Sequence, residues 1–373
     1  MIRFILVLAS LVGILTGCQT IGSLAKERVS IDWTTRLYDI ETFAFRPEER
    51  GEAAYVADSF AGSKGLVIIP SKDRIVRAVR AHNGEEIWRA TTGGANVAAP
   101  VPIDSDVLVA STDGRLYRFN RRSGREVWSV DVPGSAPMHC SPIVSGDAIF
   151  VTTMENRIAS LDASTGQLRW ERKRPSHGTF TISGHAGVLE VGDSVVTGFN
   201  DGWLIAFAKS DGATLWSMDL AAEKKGFVDV DSTPVLSGSK LIVSSYNAGI
   251  YAIDAASQEV VWRIEGQGFQ TPVLVGDMLY VATATGMLHA IDVPKGDVVW
   301  RKRVAKSVAS RPLATRKYVL LPTSGGLLVL NRRTGTILSR LGDSHGFTSA
   351  PLLVNGTLYA FSNSGRFYAL GIH

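Results

Sequence analysis

Cysteine is almost missing from this chain. Of 373 residues two are cysteine, Cys18 and Cys140, so no network of internal disulfides can stand in for a packed core. A surplus of one charge is missing as well: 39 Lys and Arg face 35 Asp and Glu, too even for the basic surface that nucleic-acid binding requires. The apolar run Phe4 to Leu15, behind Arg3, falls short of the about 20 residues that cross a bilayer as a helix. No glycine-rich phosphate loop ending in Gly-Lys-Ser/Thr occurs, and no His-Glu-x-x-His, which removes two strong signals for nucleotide and zinc-protease chemistry.

What is present is a repeat. Ala290-Ile291-Asp292 runs through Gly296 to Trp300, and the step of four residues from glycine to tryptophan recurs as Gly84/Trp88, Gly124/Trp128, Gly166/Trp170 and Gly212/Trp216. Gln258/Trp262 and Gly335/Ser339 fill the same slots imperfectly. Each block holds four short β-branched-rich runs, as in Ala98 to Val132 with AAPVPID, DVLVAST, GRLYRFN and REVWSVDV, and nothing in it has a helical period. The second turn of the block carries Asp113-Gly114 or Asp201-Gly202, and Gly249, Gly286, Gly325 and Gly365 hold that slot alone. Four strands at a period of about forty residues predict propeller blades, because one small sheet cannot bury both of its own faces. Trp33, Trp88, Trp128, Trp170, Trp216, Trp262 and Trp300 then share one task, docking a blade on its neighbour.

The final block ends at His373 without its tryptophan strand, while Ser30-Ile31-Asp32-Trp33-Thr34 is a tryptophan strand with no block before it. The two ends complete one another, which predicts an all-β ring of eight blades over residues 30–373, closed by the N-terminal strand. Phe43 to Lys64, in the first blade, is longer and more polar than its counterparts.

The apolar run reads as a secretory signal over residues 1–17. It ends in Leu15-Thr16-Gly17-Cys18, which resembles the bacterial lipoprotein box. Two readings of Cys18 compete: a lipid-bearing anchor on a tether over 18–29, or a thiol beside an ordinary cleavage site. Under the first, the lipid holds the chain to a membrane, and the absence of Asp at Gln19 resembles outer-membrane sorting in diderm bacteria. Cys140, within Ala136-Pro137-Met138-His139-Cys140-Ser141-Pro142, then has no internal partner and reads as a small buried hydrophobe.

Signals for chemistry are weak. The seven histidines are dispersed without the spacing of a metal site. Gly342-Asp343-Ser344-His345-Gly346 fits the Gly-x-Ser-x-Gly elbow, but an elbow needs a helix after it, and here a strand pattern follows. Ser344-His345-Gly346 also has a counterpart in Ser176-His177-Gly178, as a loop derived from the repeat would. The pairs Arg121-Arg122 and Arg332-Arg333 occupy equivalent hairpin turns and read as solvated charge.

The Ala-x-Asp-xxx-Gly-xxx-Trp pattern resembles the tryptophan-docking motif of pyrroloquinoline-quinone dehydrogenases, which specifies blade type rather than cofactor. A lipobox followed by eight such blades, with Val228-Asp229-Val230-Asp231-Ser232-Thr233-Pro234-Val235 at one junction, resembles the BamB family of outer-membrane protein assembly factors. That resemblance implies a non-enzymatic scaffold without a cofactor, lipid-anchored through Cys18 on the periplasmic face of the outer membrane. It also implies binding to the POTRA domains of BamA and to other subunits of the barrel assembly machinery, with unfolded outer-membrane proteins as further clients on strand edges. Asp229 and Asp231, with Phe180 and Ile182 of a nearby apolar loop, are the partner contacts it implies; Ser183 stands where the family pattern has arginine. Turn capping is a second reading of the two carboxylates. The rival functions are a quinone-dependent oxidoreductase and an envelope lipoprotein serving another complex.

Overall fold

The four runs of each repeat form four antiparallel strands, and eight such sheets make up the fold. The structure is a computed structural model that describes residues 29–39, 48–57, 65–175, 186–220, 229–306 and 310–373. Blades 1 to 7 occupy residues 54–91, 101–131, 143–173, 189–219, 235–264, 273–303 and 313–341, each with its strands in chain order. Blade 8 takes Leu352–Val354, Thr357–Phe361 and Arg366–Ile372 from the C-terminus and adds Val29–Arg36 as its fourth strand, paired from Val29↔Ile372 to Arg36↔Arg366. First strands of adjacent blades touch one another, as in blades 3 and 4, 5 and 6, 6 and 7, and 8 and 1, which sets them nearest the axis.

Burial follows from the stacking. The second and third strands of a blade are covered on both faces, so Ala148–Thr153 and Leu66–Pro70 are buried along their whole length and read as continuous apolar runs rather than alternating ones. Each core cluster joins two neighbours: Val196, Leu204 and Ala206 of blade 4 pack with Leu241, Val243, Tyr251 and Ile253 of blade 5.

The tryptophans make the joints. Trp88 Nε1 donates to the Arg121 carbonyl of blade 2 at 2.8 Å, Trp170 to Lys209 of blade 4 at 2.9 Å, and Trp262 to Val293 of blade 6 at 2.7 Å. Trp33 reaches Ala81 at 3.1 Å, so the N-terminal strand docks the closing blade onto the first. Where glycine lies under the ring it is needed twice over. Gly212 has φ +71°, and a Cβ there would lie 2.5 Å from the Trp170 ring; Gly124 stands in the same relation to Trp88. In blade 5 Gln258 holds φ +59° in the glycine slot, with its Nε2 bonded back to the Ala256 carbonyl at 2.6 Å, which offsets part of the strain.

Two details differ from the simple repeat. In blade 7 the left-handed glycine of the second turn is Gly326, with φ +133°, rather than Gly325, because two adjacent glycines let the turn shift by one residue. Every outer strand also carries a register shift one residue before its tryptophan or Ser339, from Ile31/Trp33 through to blade 7. A bulge bends the free edge of each blade and disfavours pairing with another strand.

Trp170, 7% exposed between blades 3 and 4, carries the testable consequence. Trp170→Ala is expected to cost about 3–5 kcal/mol, read as a lower urea midpoint with an unchanged slope; a normal midpoint would remove the docking role from this ring.

Candidate partner-binding face and axial cavity

Proline opens the inner strand of most blades, at Pro100, Pro142, Pro234, Pro272, Pro312 and Pro351, where a missing N–H breaks no ladder. The residue just before it points inward, and most of these are small. Ser141, Thr233 and Thr271 occupy the slot, with Gly187 in blade 4, and together they line an axial cavity of about 1120 Å³. Glu52 and Arg311 are the long exceptions, and they are paired with each other. They belong to blades 1 and 7, so the pair reaches past blade 8. Burial raises the Glu52 carboxyl above its usual range and the Arg311 guanidinium opposes the shift.

The junction entering blade 5 is built residue by residue. Val230 is buried against Gly198 of blade 4, where a Cβ would come within 2.3 Å of it. Ser232 Oγ donates to the Ser244 carbonyl at 3.0 Å and accepts from its N–H at 2.9 Å. Thr233 Oγ1 accepts from Gly187 N–H at 3.0 Å, tying blade 5 to blade 4. The Asp229 carbonyl accepts from Tyr246 N–H at 3.0 Å. Most of this motif is therefore architecture.

Its two carboxylates fare differently. Asp229, a partner contact on the family resemblance and a turn cap on the second reading, is 5% exposed and belongs to the packed junction. Asp231 is half-buried on the cavity wall, and its Oδ1 is shut from solvent without a hydrogen-bond partner. Burial, and then the charge of Asp229, push its pKa up to about 7. Phe180, Ile182, Ser183 and Cys18 lie outside the described residues, as do Ser176, His177 and Gly178.

The other candidates resolve into structure. Asp343 accepts from the hydroxyls of Ser364 at 2.8 Å and Tyr368 at 2.9 Å and from His345 N–H at 3.1 Å, joining blades 7 and 8. The Ser344 hydroxyl meets His345 Nδ1 at 2.9 Å, but Asp343 holds the histidine by its backbone rather than its ring, so the string lacks the base-orienting arrangement of a triad. Burial, and then the Glu52 charge, push the Cys140 thiol up to about 12, which leaves it a poor nucleophile. Sequence reasoning passed over Glu52 and Arg311. The signal was the large residue before Pro312, in a slot that holds Ser141, Thr233 and Thr271 elsewhere.

Asp231 makes stability depend on pH. An unfolded Asp titrates near 3.9, and the folded carboxyl near 7, so the folded state holds the extra proton between those values. Its contribution is complete below pH of about 4 and is lost as pH rises through about 7. Asp231→Asn is expected to flatten the urea midpoint between pH 5 and pH 8 and to raise it at pH 8; an unchanged pH profile would show that Asp231 titrates normally.

The family model for outer membrane protein assembly factor BamB matches residues 72–302, from the second half of blade 1 through blade 6. The assembly factor BamB of Burkholderia pseudomallei (strain K96243) is 26% identical over 347 residues, covering 90% of this chain and 86% of that protein. Among solved structures, BamB from Moraxella catarrhalis superposes with a TM-score of 0.73 at 20% identity, over 91% of this chain and all of that one. A quinohemoprotein alcohol dehydrogenase from Pseudomonas putida HK5 has the same TM-score of 0.73 at 14% identity, over 92% of this chain and 76% of its own, a likeness of fold alone. With the repeat, the eight-bladed closure and a family model spanning more than half of its length all in agreement, the chain belongs to the outer membrane protein assembly factor BamB family.

Proposed function

We propose that this protein is a non-catalytic scaffold for assembling outer-membrane β-barrel proteins, anchored by lipid at Cys18 and binding the POTRA domains of BamA. The family match over residues 72–302 carries the reading. The geometry supports it: a ring tied at each joint offers a rigid platform, and holding a jointed partner in one arrangement raises the local concentration of what that partner must meet. The face that bears the blade entries is the contact face, with Asp231 and the loop of Phe180 and Ile182 as its anchor. The bulged outer edges argue against strand pairing with unfolded clients.

The quinone of the dehydrogenases with this fold does not suit the axial cavity. Its calcium partner calls for six to eight oxygen ligands, and among the described residues no group of three His, Cys, Asp or Glu is placed to hold a metal ion. Glu52 is already engaged by Arg311, and the spare oxygen of Asp231 is closed off.

Affinity purification of the full-length lipoprotein from mild-detergent envelope extracts tests the reading. A POTRA-containing barrel protein with companion lipoproteins is the expected catch, and a different envelope complex would overturn the function. Asp231→Ala combined with Phe180→Ala and Ile182→Ala is expected to weaken binding to isolated POTRA domains by about thirtyfold, as the loss of a hot spot does. Unchanged binding by a folded variant would leave the function standing and move the site elsewhere.

A further inference from the structure

Charge is distributed very unevenly along the chain. Between residues 298 and 342 there are ten Lys or Arg and no Asp or Glu, which leaves 29 basic against 35 acidic residues in the rest. Folding gathers part of this run on one face. The turn between the first two strands of blade 7 is Arg316-Lys317, and the turn between its last two holds Arg332-Arg333. Arg332 N–H donates to the Lys317 carbonyl at 3.0 Å, so the two turns lie side by side. Lys302 of blade 6 runs along the same hairpin, against Gly335.

In several other blades the corresponding turns carry a carboxylate. The first turn carries an acid in blades 2, 3, 4 and 6, at Asp104, Asp147, Asp193 and Asp277. On this face Arg118 pairs with Asp106 at 2.7 Å, Arg169 with Asp162 at 2.7 Å, and Lys209 with Glu190 at 2.6 Å. In blade 7 the Arg332 guanidinium is spent on the Tyr280 hydroxyl and the Thr315 carbonyl. Among the described residues, Arg316, Lys317 and Arg333 are exposed and have no carboxylate partner.

The same place is where the chain enters the ring. Val29 pairs with Ile372 at the edge of blade 8 and packs into the cluster shared with blade 7. Tyr318, next to Lys317, donates its hydroxyl to the His373 carbonyl at 2.9 Å, and Ser30 Oγ meets the His373 ring at 2.9 Å. The 11 residue steps from Cys18 to Val29 reach at most about 40 Å when extended. Exposed Ile337, Val298 and Val299 lie on the adjacent outer strands. Asp231 sits at the opposite end of the inner strands, before Val235 rather than in the turn after Ser237.

We propose that the blade 7 turns, Arg316-Lys317 and Arg332-Arg333, dock on the anionic phospholipid headgroups of the membrane to which the chain is tethered. This points the opposite face, with Asp231 and the cavity, toward the partner. Guanidinium and ammonium groups pair with phosphodiesters, and a single lipid attachment gains orientation from a second, electrostatic signal. The cation sector stands without the anchor; only the choice of a membrane over another polyanion rests on the reading of Cys18.

The test is vesicle flotation with the chain from residue 18 onward carrying Cys18→Ser, which keeps every described blade and removes the lipid. Binding is expected to vesicles of phosphatidylcholine with a minority of phosphatidylglycerol, not to phosphatidylcholine alone, and to fade with salt. Arg316→Ser, Lys317→Ser and Arg333→Ser together should lower it about a hundredfold. A charge-matched control, Arg121→Ser, Arg122→Ser and Arg125→Ser in blade 2, should leave it nearly intact. Should the blade 7 variant fail to fold, protection of the Lys317 amine from acylation by the anionic vesicles decides the matter in the parent chain. Equal losses in both triples, no preference for phosphatidylglycerol, or binding to soluble polyglutamate with none to vesicles would each overturn the proposal. POTRA binding by the same variants should be unchanged, which separates its failure from that of the scaffold reading.

Discussion

Everything in this ring depends on an indole meeting a bare backbone. Six of the seven docking tryptophans lie on the last turn of the next blade, where glycine both adopts a left-handed conformation and leaves room for the ring; in blade 5 Gln258 takes that slot in the same conformation. The indole N–H then satisfies a carbonyl at that turn's edge, so the contact buries a large apolar surface without stranding a polar group. A Cβ at the glycine would strike the ring, and a smaller side chain than tryptophan would leave a cavity. The two positions specify one another. This explains why the motif persists where strand sequences drift freely, since the strands need only β-branched and aromatic residues of about the right volume.

The same logic accounts for the one blade that lacks the tryptophan. Ser339 stands in the tryptophan slot of blade 7, and its neighbour is blade 8, whose last two strands are the two ends of the chain. No glycine turn exists there for an indole to rest on. That joint is held by other means: Asp343 bonded to Ser364 and Tyr368, and Tyr318 bonded to the His373 carbonyl. On the far side of blade 8, Thr348 and Asn363 grip the backbone of Glu49 at 2.8 and 2.7 Å, and Ser349 holds Gly51 at 2.7 Å. Polar contacts thus take over where the repeat is interrupted by the need to join the termini.

The fold was legible because its determinant is periodic. Gly-xxx-Trp recurs at a fixed spacing, and the orphan strand around Trp33 announced the closure; the shift from Gly325 to Gly326 was lost only because adjacent glycines are interchangeable on paper. The site was far less legible. Val228 to Val235 looked like a contact surface, yet Val230, Ser232 and Thr233 serve the joint between blades 4 and 5, and Asp229 is buried with them. Spacing cannot distinguish a carboxylate packed into a joint from one on the cavity wall here, because Asp229 and Asp231 precede the first strand of blade 5, where no strand alternation fixes the side a residue faces. Glu52 and Arg311 are 259 residues apart, and only the closed ring brings them together.

A repeat of equal blades makes every sector of the ring alike, so whatever sets one sector apart must come from residues that depart from the repeat. Two departures stand at opposite ends of the inner strands. At one end the slot before the first strand, small in most blades, holds Glu52 and Arg311, with the closed-off carboxyl of Asp231 on the same cavity wall. At the other end the first turn, acidic in four blades, is Arg316-Lys317 in blade 7, beside the point where the chain enters the ring. Neither departure improves packing, since exposed cations and a carboxyl without a partner add little or nothing to stability. A symmetric scaffold that tolerates such costs at both of its faces, and concentrates them in few blades, is one whose two faces meet different surroundings.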